Sequence, residues 1–146
     1  MKTRYSLPSL LLFALVLTGC KDSQHGDPLP ETATFRVDLQ QTGGYEKFTK
    51  IVRISGGDFE DTDTGEPMPT VLYNEDLEGG SYSYEAEGVG ELDISTTVGF
   101  SPVADAPAAM AMKITVSRNG EVIDESTYLY DQDSDAVNKE LSYKAN

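Results

Sequence analysis

The chain has 146 residues and a formal net charge of −14, from 25 acidic and 11 basic side chains. Proteins bind nucleic acid by neutralising its phosphates with lysine and arginine, so this charge excludes nucleic acid as a partner. Cys20 is the only cysteine and His25 the only histidine. That inventory excludes an intrachain disulfide, a zinc site built on cysteine and histidine, and a triad with a packed catalytic histidine.

The N-terminus has the three parts of a secretory signal peptide. Residues 2–4 carry two basic side chains, residues 7–17 are apolar, and two small residues precede Cys20. The apolar segment is shorter than the roughly 20 residues that a helix needs to cross a bilayer. We therefore predict that residues 1–19 form a signal peptide that is removed.

The string Leu17-Thr18-Gly19-Cys20 resembles the lipobox of bacterial lipoproteins. In that family the cysteine thiol receives a diacylglycerol, the peptide is cut before the cysteine, and the new amino group is often acylated. The resemblance implies that Cys20 is lipidated and that the lipid holds the protein on a membrane, since two or three acyl chains make departure rare. The alternative is an ordinary signal peptide with an unrelated cysteine.

The residues after Cys20 bear on location. In enterobacterial lipoproteins an aspartate directly after the cysteine retains the protein in the inner membrane, whereas Lys21 stands there in this chain. Lys21-Asp22 resembles the pattern of surface-exported Bacteroidetes lipoproteins, and the chain resembles their small β-rich members of uncharacterised function. The resemblance implies a lipid-anchored outer-membrane protein, at the periplasmic face or the cell surface.

The rest of the chain is divided into a linker and a domain. Residues 20–32 are the lipidated cysteine and a polar segment with two prolines, predicted to be flexible. Residues 33–146 form the predicted domain, in which apolar and polar residues alternate with the period of a β-strand. The strand-like segments are 33–40, 47–55, 70–73, 81–85, 91–100 and the two halves of 111–130.

Asn119-Gly120 is the strongest local signal in the chain. This dipeptide between two alternating runs predicts a hairpin with a two-residue type I′ turn. In the resulting register, the paired side chains of the two strands lie on one face. This face is mostly apolar, but it includes the charged side chain of Glu125. The predicted pairs are Arg118 with Glu121, Val116 with Ile123, Ile114 with Glu125, Met112 with Thr127 and Met110 with Leu129.

These segments predict an all-β fold. About seven strands at this spacing, one pair of them an antiparallel hairpin, fit a single antiparallel β-sandwich of Ig-like or transthyretin-like architecture. Residues 135–144 are compatible with a helical turn or a last strand, and Leu141 and Tyr143 favour the strand.

Two acidic segments are candidate calcium sites, because alternating aspartates supply the oxygen ligands that calcium takes. In an EF-hand-type loop, however, the second segment would have Ala136 where glycine is needed and Ser142 where a bidentate glutamate is needed. We therefore expect solvated loops and no cofactor, with calcium as the alternative. The candidate ligands are Asp58, Asp61 and Asp63 in the first segment and Asp131, Asp133 and Asp135 in the second.

Four tyrosines are candidate binding residues. Tyr82 and Tyr84 alternate along one strand, and Tyr128 and Tyr130 lie on the predicted non-core face of the hairpin. Exposed aromatic rings stack on sugars or anchor protein partners. The alternative is that tyrosines, as good strand formers, pack at the edges of the sheet.

Two functions remain open from the sequence. The first is a non-catalytic binding or adaptor module for a protein or glycan, displayed on the membrane by the lipid of Cys20. The second is a structural or assembly subunit that uses an exposed sheet edge for strand addition. A pair of carboxylates is the one catalytic device that the residue inventory permits, and we do not expect catalysis.

Overall fold

The computed structural model describes residues 31–101, 104–105 and 107–146, and its nine strands form two antiparallel sheets. Two short 3-10 helices, Tyr45–Lys47 and Asn74–Asp76, lie between strands. The strands are β1 (Ala33–Gly43), β2 (Phe48–Ser55), β3 (Glu60–Asp61), β4 (Val71–Leu72), β5 (Ser81–Val89), β6 (Glu91–Phe100), β7 (Ala109–Arg118), β8 (Glu121–Asp131) and β9 (Val137–Lys144).

The two sheets pack as a sandwich, which confirms the predicted fold class. One sheet has the order β3-β5-β1-β7-β8 and the other the order β4-β2-β6-β9. The number of strands exceeds the expected seven for two reasons. A two-residue strand, β3, forms inside the first acidic segment, and the segment compatible with a helical turn or a last strand forms a strand, β9.

Alternation along the strands places the core between the sheets. In β1 the odd positions Phe35, Val37 and Leu39 are buried, and in β6 Leu92 and Ile94 are buried. Each such strand turns every second side chain inward, so the pattern seen in the sequence is the pattern of burial.

The β7–β8 hairpin forms, but most of its predicted register is wrong. Asn119 and Gly120 have φ values of 53° and 83°, as a type I′ turn requires. Arg118 pairs with Glu121 as expected, and then a β-bulge shifts the register, so that Val116 lies opposite Asp124. The four pairs predicted beyond the turn are therefore displaced by one residue: Ile114 faces Ser126, Met112 faces Tyr128 and Met110 faces Tyr130.

The bulge has a physical reason. Without it, Glu125 would point into the core opposite Ile114, and a buried carboxylate without a partner is costly. With it, Glu125 turns outward, where its Oε2 lies 2.8 Å from Lys113 Nζ. The same shift brings Tyr130 into the core and leaves Leu129 79% exposed.

Different segments of the chain lie at the two ends of the sandwich, called the N-terminal end and the far end. The N-terminal end holds the start of β1 and the β7–β8 turn, where Asn119 N donates to Thr34 O at 2.8 Å. The far end holds the turn between β1 and β2, the segment 73–80 before β5, and the loop between β8 and β9. A chain entering at Ala33 therefore reaches the sandwich at the end opposite these three segments.

Candidate functional site

The predicted lipidation residue, Cys20, lies outside the described residues, together with Lys21, Asp22 and His25. In the part of the chain that the structure describes, no helix is long and apolar enough to cross a membrane. The described residues begin at the last two positions of the predicted linker, and β1 begins at Ala33.

A pocket of about 490 Å³ lies where β3 pairs with the edge of β5. We call it the acidic edge pocket. Carboxylates dominate its lining, and neither lysine nor arginine lines it. Its lining residues are Asp58, Glu60, Asp61, Thr62, Gly65, Glu85, Ala86 and Glu87.

The register puts two like charges face to face in this pocket. Glu60 of β3 is directly opposite Glu85 of β5, and both side chains are exposed. Like charges directly opposite each other destabilise a strand pair. Arg36 lies across from Glu85 on the other side, but its Nε is 3.0 Å from Asp38 Oδ1. The two ion pairs among the described residues, Arg36–Asp38 and Lys113–Glu125, include no carboxylate of the pocket.

Asp61 has a structural role at the margin of the pocket. Its Oδ1 accepts hydrogen bonds from the backbone nitrogens of Asp63 and Thr64, both at 2.9 Å, and from Thr64 Oγ1 at 3.2 Å. The backbone hydrogen bonds from Thr64 and Asp63 hold the pKa of Asp61 below its ordinary value. This is the geometry of an aspartate that closes its own turn. Asp63 does not line the pocket and faces a neighbouring groove beside Tyr82.

The second acidic segment is a similar turn at the other edge of the sheet. Asp131 Oδ1 accepts from Asp133 N at 3.1 Å and from Ser134 Oγ at 2.7 Å, while Asp133 and Asp135 are exposed. β3 and β8 are the two edges of the five-stranded sheet, four strand spacings or roughly 19 Å apart. The two groups of candidate calcium ligands therefore do not form one site.

The four candidate tyrosines are buried or half-buried, which fits the alternative that they pack as strand residues better than an exposed binding face. Tyr84 is 4% exposed and Tyr130 is 3% exposed, and Tyr82 and Tyr128 are half-buried against the core. For Tyr128 and Tyr130 the cause is the bulge, which turns both toward the opposite sheet. Burial raises the pKa of Tyr84 to about 12. Tyr84 and Tyr130 are core residues, and Tyr82 stacks on Tyr84 with ring centroids 6.5 Å apart.

A buried polar cluster lies at the far end and was not predicted from the sequence; it includes Lys50, the one charged side chain on the inward face of β2. Lys50 and Gln41 are each 3% exposed. Lys50 Nζ donates to Leu77 O at 3.1 Å, and Gln41 Nε2 donates to the same oxygen at 3.2 Å and to Gly79 O at 2.8 Å. The hydroxyl of Tyr82 accepts from Gly79 N and so supports the same segment.

A pocket of about 560 Å³ opens beside this cluster, and we call it the far-end pocket. It lies between the β1–β2 turn and the 3-10 helix of residues 74–76. Its lining residues are Tyr45, Glu46, Phe48, Lys50, Asn74, Glu75, Leu77 and Glu78.

A set of hydrogen-bonded polar side chains links the two sheets at the side where β8 lies over β9. The hydroxyl of Tyr143 in β9 donates to Asp124 Oδ2 in β8 at 2.5 Å, and Ser126 Oγ donates to the same carboxylate oxygen at 3.1 Å. The hydrogen bond from Tyr143 is the main reason that the pKa of Asp124 is lowered. The bulge of the hairpin is what turns Asp124 toward β9.

The sequence matches the model of a known protein family. A family model described as "PLAT/LH2 and C2-like Ca2+-binding lipoprotein" matches residues 4–144, almost the whole chain. The chain belongs to this family and is a small β-rich lipoprotein, which confirms the predicted class of protein at that level. None of the curated proteins matches the chain.

Three solved structures from Parabacteroides and Bacteroides species share the fold. The first is the calcium-bound form of a protein from Parabacteroides distasonis, 24% identical, with a TM-score of 0.65 and coverage of 83% of this chain and 99% of that one. A domain of unknown function, DUF4425, from Bacteroides vulgatus is 13% identical, with a TM-score of 0.62 and coverage of 77% and 94%. A DUF4425 family protein from Bacteroides ovatus is 9% identical, with a TM-score of 0.62 and coverage of 78% and 96%.

Proposed function

We propose that the protein is a non-catalytic binding module, anchored in the outer membrane by lipid on Cys20, and that its acidic edge pocket binds Ca²⁺. The observation that carries the calcium part is the facing pair Glu60 and Glu85, in a pocket lined by carboxylates and by no basic residue. The description of the family as Ca²⁺-binding and the calcium-bound state of the Parabacteroides distasonis protein support it.

The donor chemistry of the pocket fits calcium, which takes six to eight oxygen ligands from carboxylates, carbonyls and water. Glu60 and Glu85 would hold the ion between two strands, with Glu87 and Asp58 as further carboxylates. Among the described residues no group of three or more acidic or histidine side chains is already close enough to hold a metal ion. Binding would therefore draw exposed glutamate side chains together, and the ion would supply the positive charge that the Glu60–Glu85 pair lacks.

The other two acidic places fit calcium less well. In the second acidic segment Asp131 Oδ1 is already engaged by two donors of its own turn. The far-end pocket has three glutamates, but the ammonium group of Lys50 lies at its floor and would repel a second cation at short range. We therefore propose calcium at the first of the two predicted segments, in place of the expectation of no cofactor.

Thermal unfolding with and without calcium tests the proposal. A ligand present at one hundred times its Kd stabilises the folded state by about 2.7 kcal/mol, so saturating Ca²⁺ should raise the Tm of the wild type by several degrees. Glu60→Gln combined with Glu85→Gln should abolish that rise. The matched control, Asp133→Asn combined with Asp135→Asn, removes the same number of charges at the other edge and should keep it.

The same variants make a prediction of opposite sign without calcium. Removing the like charges at Glu60 and Glu85 should stabilise the calcium-free protein by about 0.2–1 kcal/mol. The double glutamine variant would then be more stable than the wild type in a chelator and less stable in Ca²⁺. A wild-type Tm that Ca²⁺ does not raise beyond the effect of an equal concentration of Mg²⁺ would overturn the site.

The anchor and its location are tested in cells. Cys20→Ser should release the protein from the membrane fraction, because a lipid on that residue would be the membrane contact. Protease shaving of intact cells then distinguishes the cell surface, where the domain is cleaved, from the periplasmic face, where it is protected. The result decides which protein or glycan partners are within reach. Membrane retention of Cys20→Ser would contradict the anchor.

The assembly alternative has one supporting observation: β8 and β9 are long strands at the edges of their sheets. Edge strands resist pairing when they carry bulges and inward-pointing charges. β8 has both, a bulge and Asp124, and β9 turns Lys139 inward, with its Nζ 5.5 Å from the ring centre of Tyr128. These features favour the binding module. Size-exclusion chromatography at high protein concentration should give a monomer, and a concentration-dependent oligomer would favour assembly.

A further inference from the structure

Two buried polar groups, one lining the far-end pocket and one directly behind it, have hydrogen-bonding capacity that the described residues do not fill. The Lys50 ammonium group has three donors, and its one hydrogen-bond acceptor among the described residues is Leu77 O, at 3.1 Å. The ring of Tyr45 lies 5.1 Å from Nζ and contributes a cation–π contact. Burial lowers the pKa of Lys50, and Glu46 acts in the opposite direction.

Gln41 has the complementary deficiency. Its amide nitrogen donates to Leu77 O and Gly79 O. Its Oε1 is buried and has no hydrogen-bond partner among the described residues. A buried acceptor without a partner and an ammonium group with unused donors thus meet at one backbone carbonyl, that of Leu77. Buried polar groups are nearly always satisfied in folded proteins, so this place calls for a group that both donates and accepts.

A hydroxyl group does both. A water molecule would satisfy the two groups, but the pocket of about 560 Å³ is of the size that holds a small organic molecule. Its walls suit a ligand with several hydroxyl groups. Glu75 and Glu78 are exposed carboxylate acceptors at the rim, and the half-buried ring of Tyr45 offers surface to the C–H groups of a sugar.

The charge of the lining selects among such ligands. Three glutamates face one lysine, so an anionic ligand would be repelled and a neutral one admitted. Asn74 is held in place because its Oδ1 accepts from Lys50 N at 2.7 Å, which leaves its amide N–H groups to donate. We propose that the far-end pocket binds a neutral carbohydrate, whose hydroxyl groups meet Lys50 at the floor, where Gln41 lies behind the carbonyl of Leu77, and the glutamates at the rim.

The place of the pocket in the fold suits this role. It lies at the end of the sandwich opposite Ala33, where the chain leaves toward the N-terminus. A lipid anchor at that terminus would leave the pocket facing away from the membrane. The site is separate from the acidic edge pocket, so either proposal can fail without the other.

Calorimetric titration of the full lipoprotein, in a detergent without a sugar headgroup and in the presence of a chelator, tests the proposal. The probes are neutral di- and trisaccharides of glucose, mannose, galactose and xylose, and digalacturonate as the anionic comparison. At least one neutral probe should bind, and digalacturonate should not. Glu75→Gln, an exposed substitution that should not disturb folding, and Lys50→Met should each weaken binding about tenfold, the effect of one charge-assisted hydrogen bond.

Two control variants complete the design. Glu121→Gln, at the opposite end beside the hairpin turn, should leave binding unchanged. Glu60→Gln combined with Glu85→Gln should leave it unchanged as well, which separates this pocket from the calcium site. The proposal is overturned if no neutral probe binds, in which case water alone fills the unmet groups. Binding that survives both Glu75→Gln and Lys50→Met would also overturn it.

Discussion

Tyr143→Phe tests how the two sheets are joined on the side where β8 lies over β9. The substitution keeps the ring and removes only the hydroxyl that donates to Asp124 Oδ2 at 2.5 Å. A hydrogen bond to a charged group contributes about 1.5–3 kcal/mol to stability. Both residues are half-buried, which places the loss at the lower end of this range, about 1.5–2 kcal/mol. In a domain of this size that corresponds to a fall in Tm of roughly 5 °C.

The effect depends on pH with a definite sign. The hydrogen bond from Tyr143 lowers the pKa of Asp124, so the folded state favours the carboxylate. The stabilisation is therefore present above the unfolded pKa of about 3.9 and is lost as the pH falls through the lower, folded value. The difference in Tm between wild type and Tyr143→Phe should be full at pH near 7 and shrink in strong acid.

Thermal and urea unfolding at both pH values measure this difference. Tyr128→Phe is the matched control, because it removes the hydroxyl of a half-buried tyrosine in β8 that donates no hydrogen bond within the described residues. It should change stability by less than about 0.5 kcal/mol. The reasoning is refuted if the two variants have equal stability, or if the effect of Tyr143→Phe is as large in acid as at neutral pH.

Four further substitutions, in two matched pairs, test other parts of the fold. Gly56 has φ +114° and a Cβ there would meet Glu91 O at 1.9 Å, so Gly56→Ala should cost about 3 kcal/mol or more. Gly65→Ala, at φ +71° with open space around the new Cβ, should cost only about 1 kcal/mol, and equal losses in urea unfolding would contradict the close approach. Leu129→Ala should change the free energy of unfolding by at most about 0.5 kcal/mol, whereas Leu92→Ala in the core should lower it by about 2–5 kcal/mol. An equally large loss of stability at both positions would contradict the shifted register.

Local sequence patterns predict most of the fold. Alternation identifies the faces of β1 and β6, and Asn119-Gly120 identifies the hairpin, because each depends on neighbouring residues alone. The register beyond the turn could not be read in that way. The alternation of β8 is the same whether Leu129 or Tyr130 points inward, and the choice depends on how Glu125, Asp124 and the opposite sheet are accommodated.

The candidate sites depend on contacts between distant parts of the chain. Glu85 becomes a candidate ligand only because β3 pairs with β5 and places Glu60 opposite it. Neither segment contains a local pattern that predicts this pairing. Lys50 interrupts an otherwise apolar face, and its accommodation depends on the carbonyl of Leu77, far along the chain. A buried lysine in a strand indicates a binding site only when its hydrogen-bond acceptor is known.

Amide NMR spectra recorded during a calcium titration test the central proposal most directly, because they locate the ion as well as detect it. The proposal predicts saturable shifts concentrated in residues 58–66 and 84–88, which surround the acidic edge pocket, and predicts that Glu60→Gln combined with Glu85→Gln removes them. Spectra that do not change with Ca²⁺, or shifts centred on residues 131–136 or 74–78 instead, would contradict it.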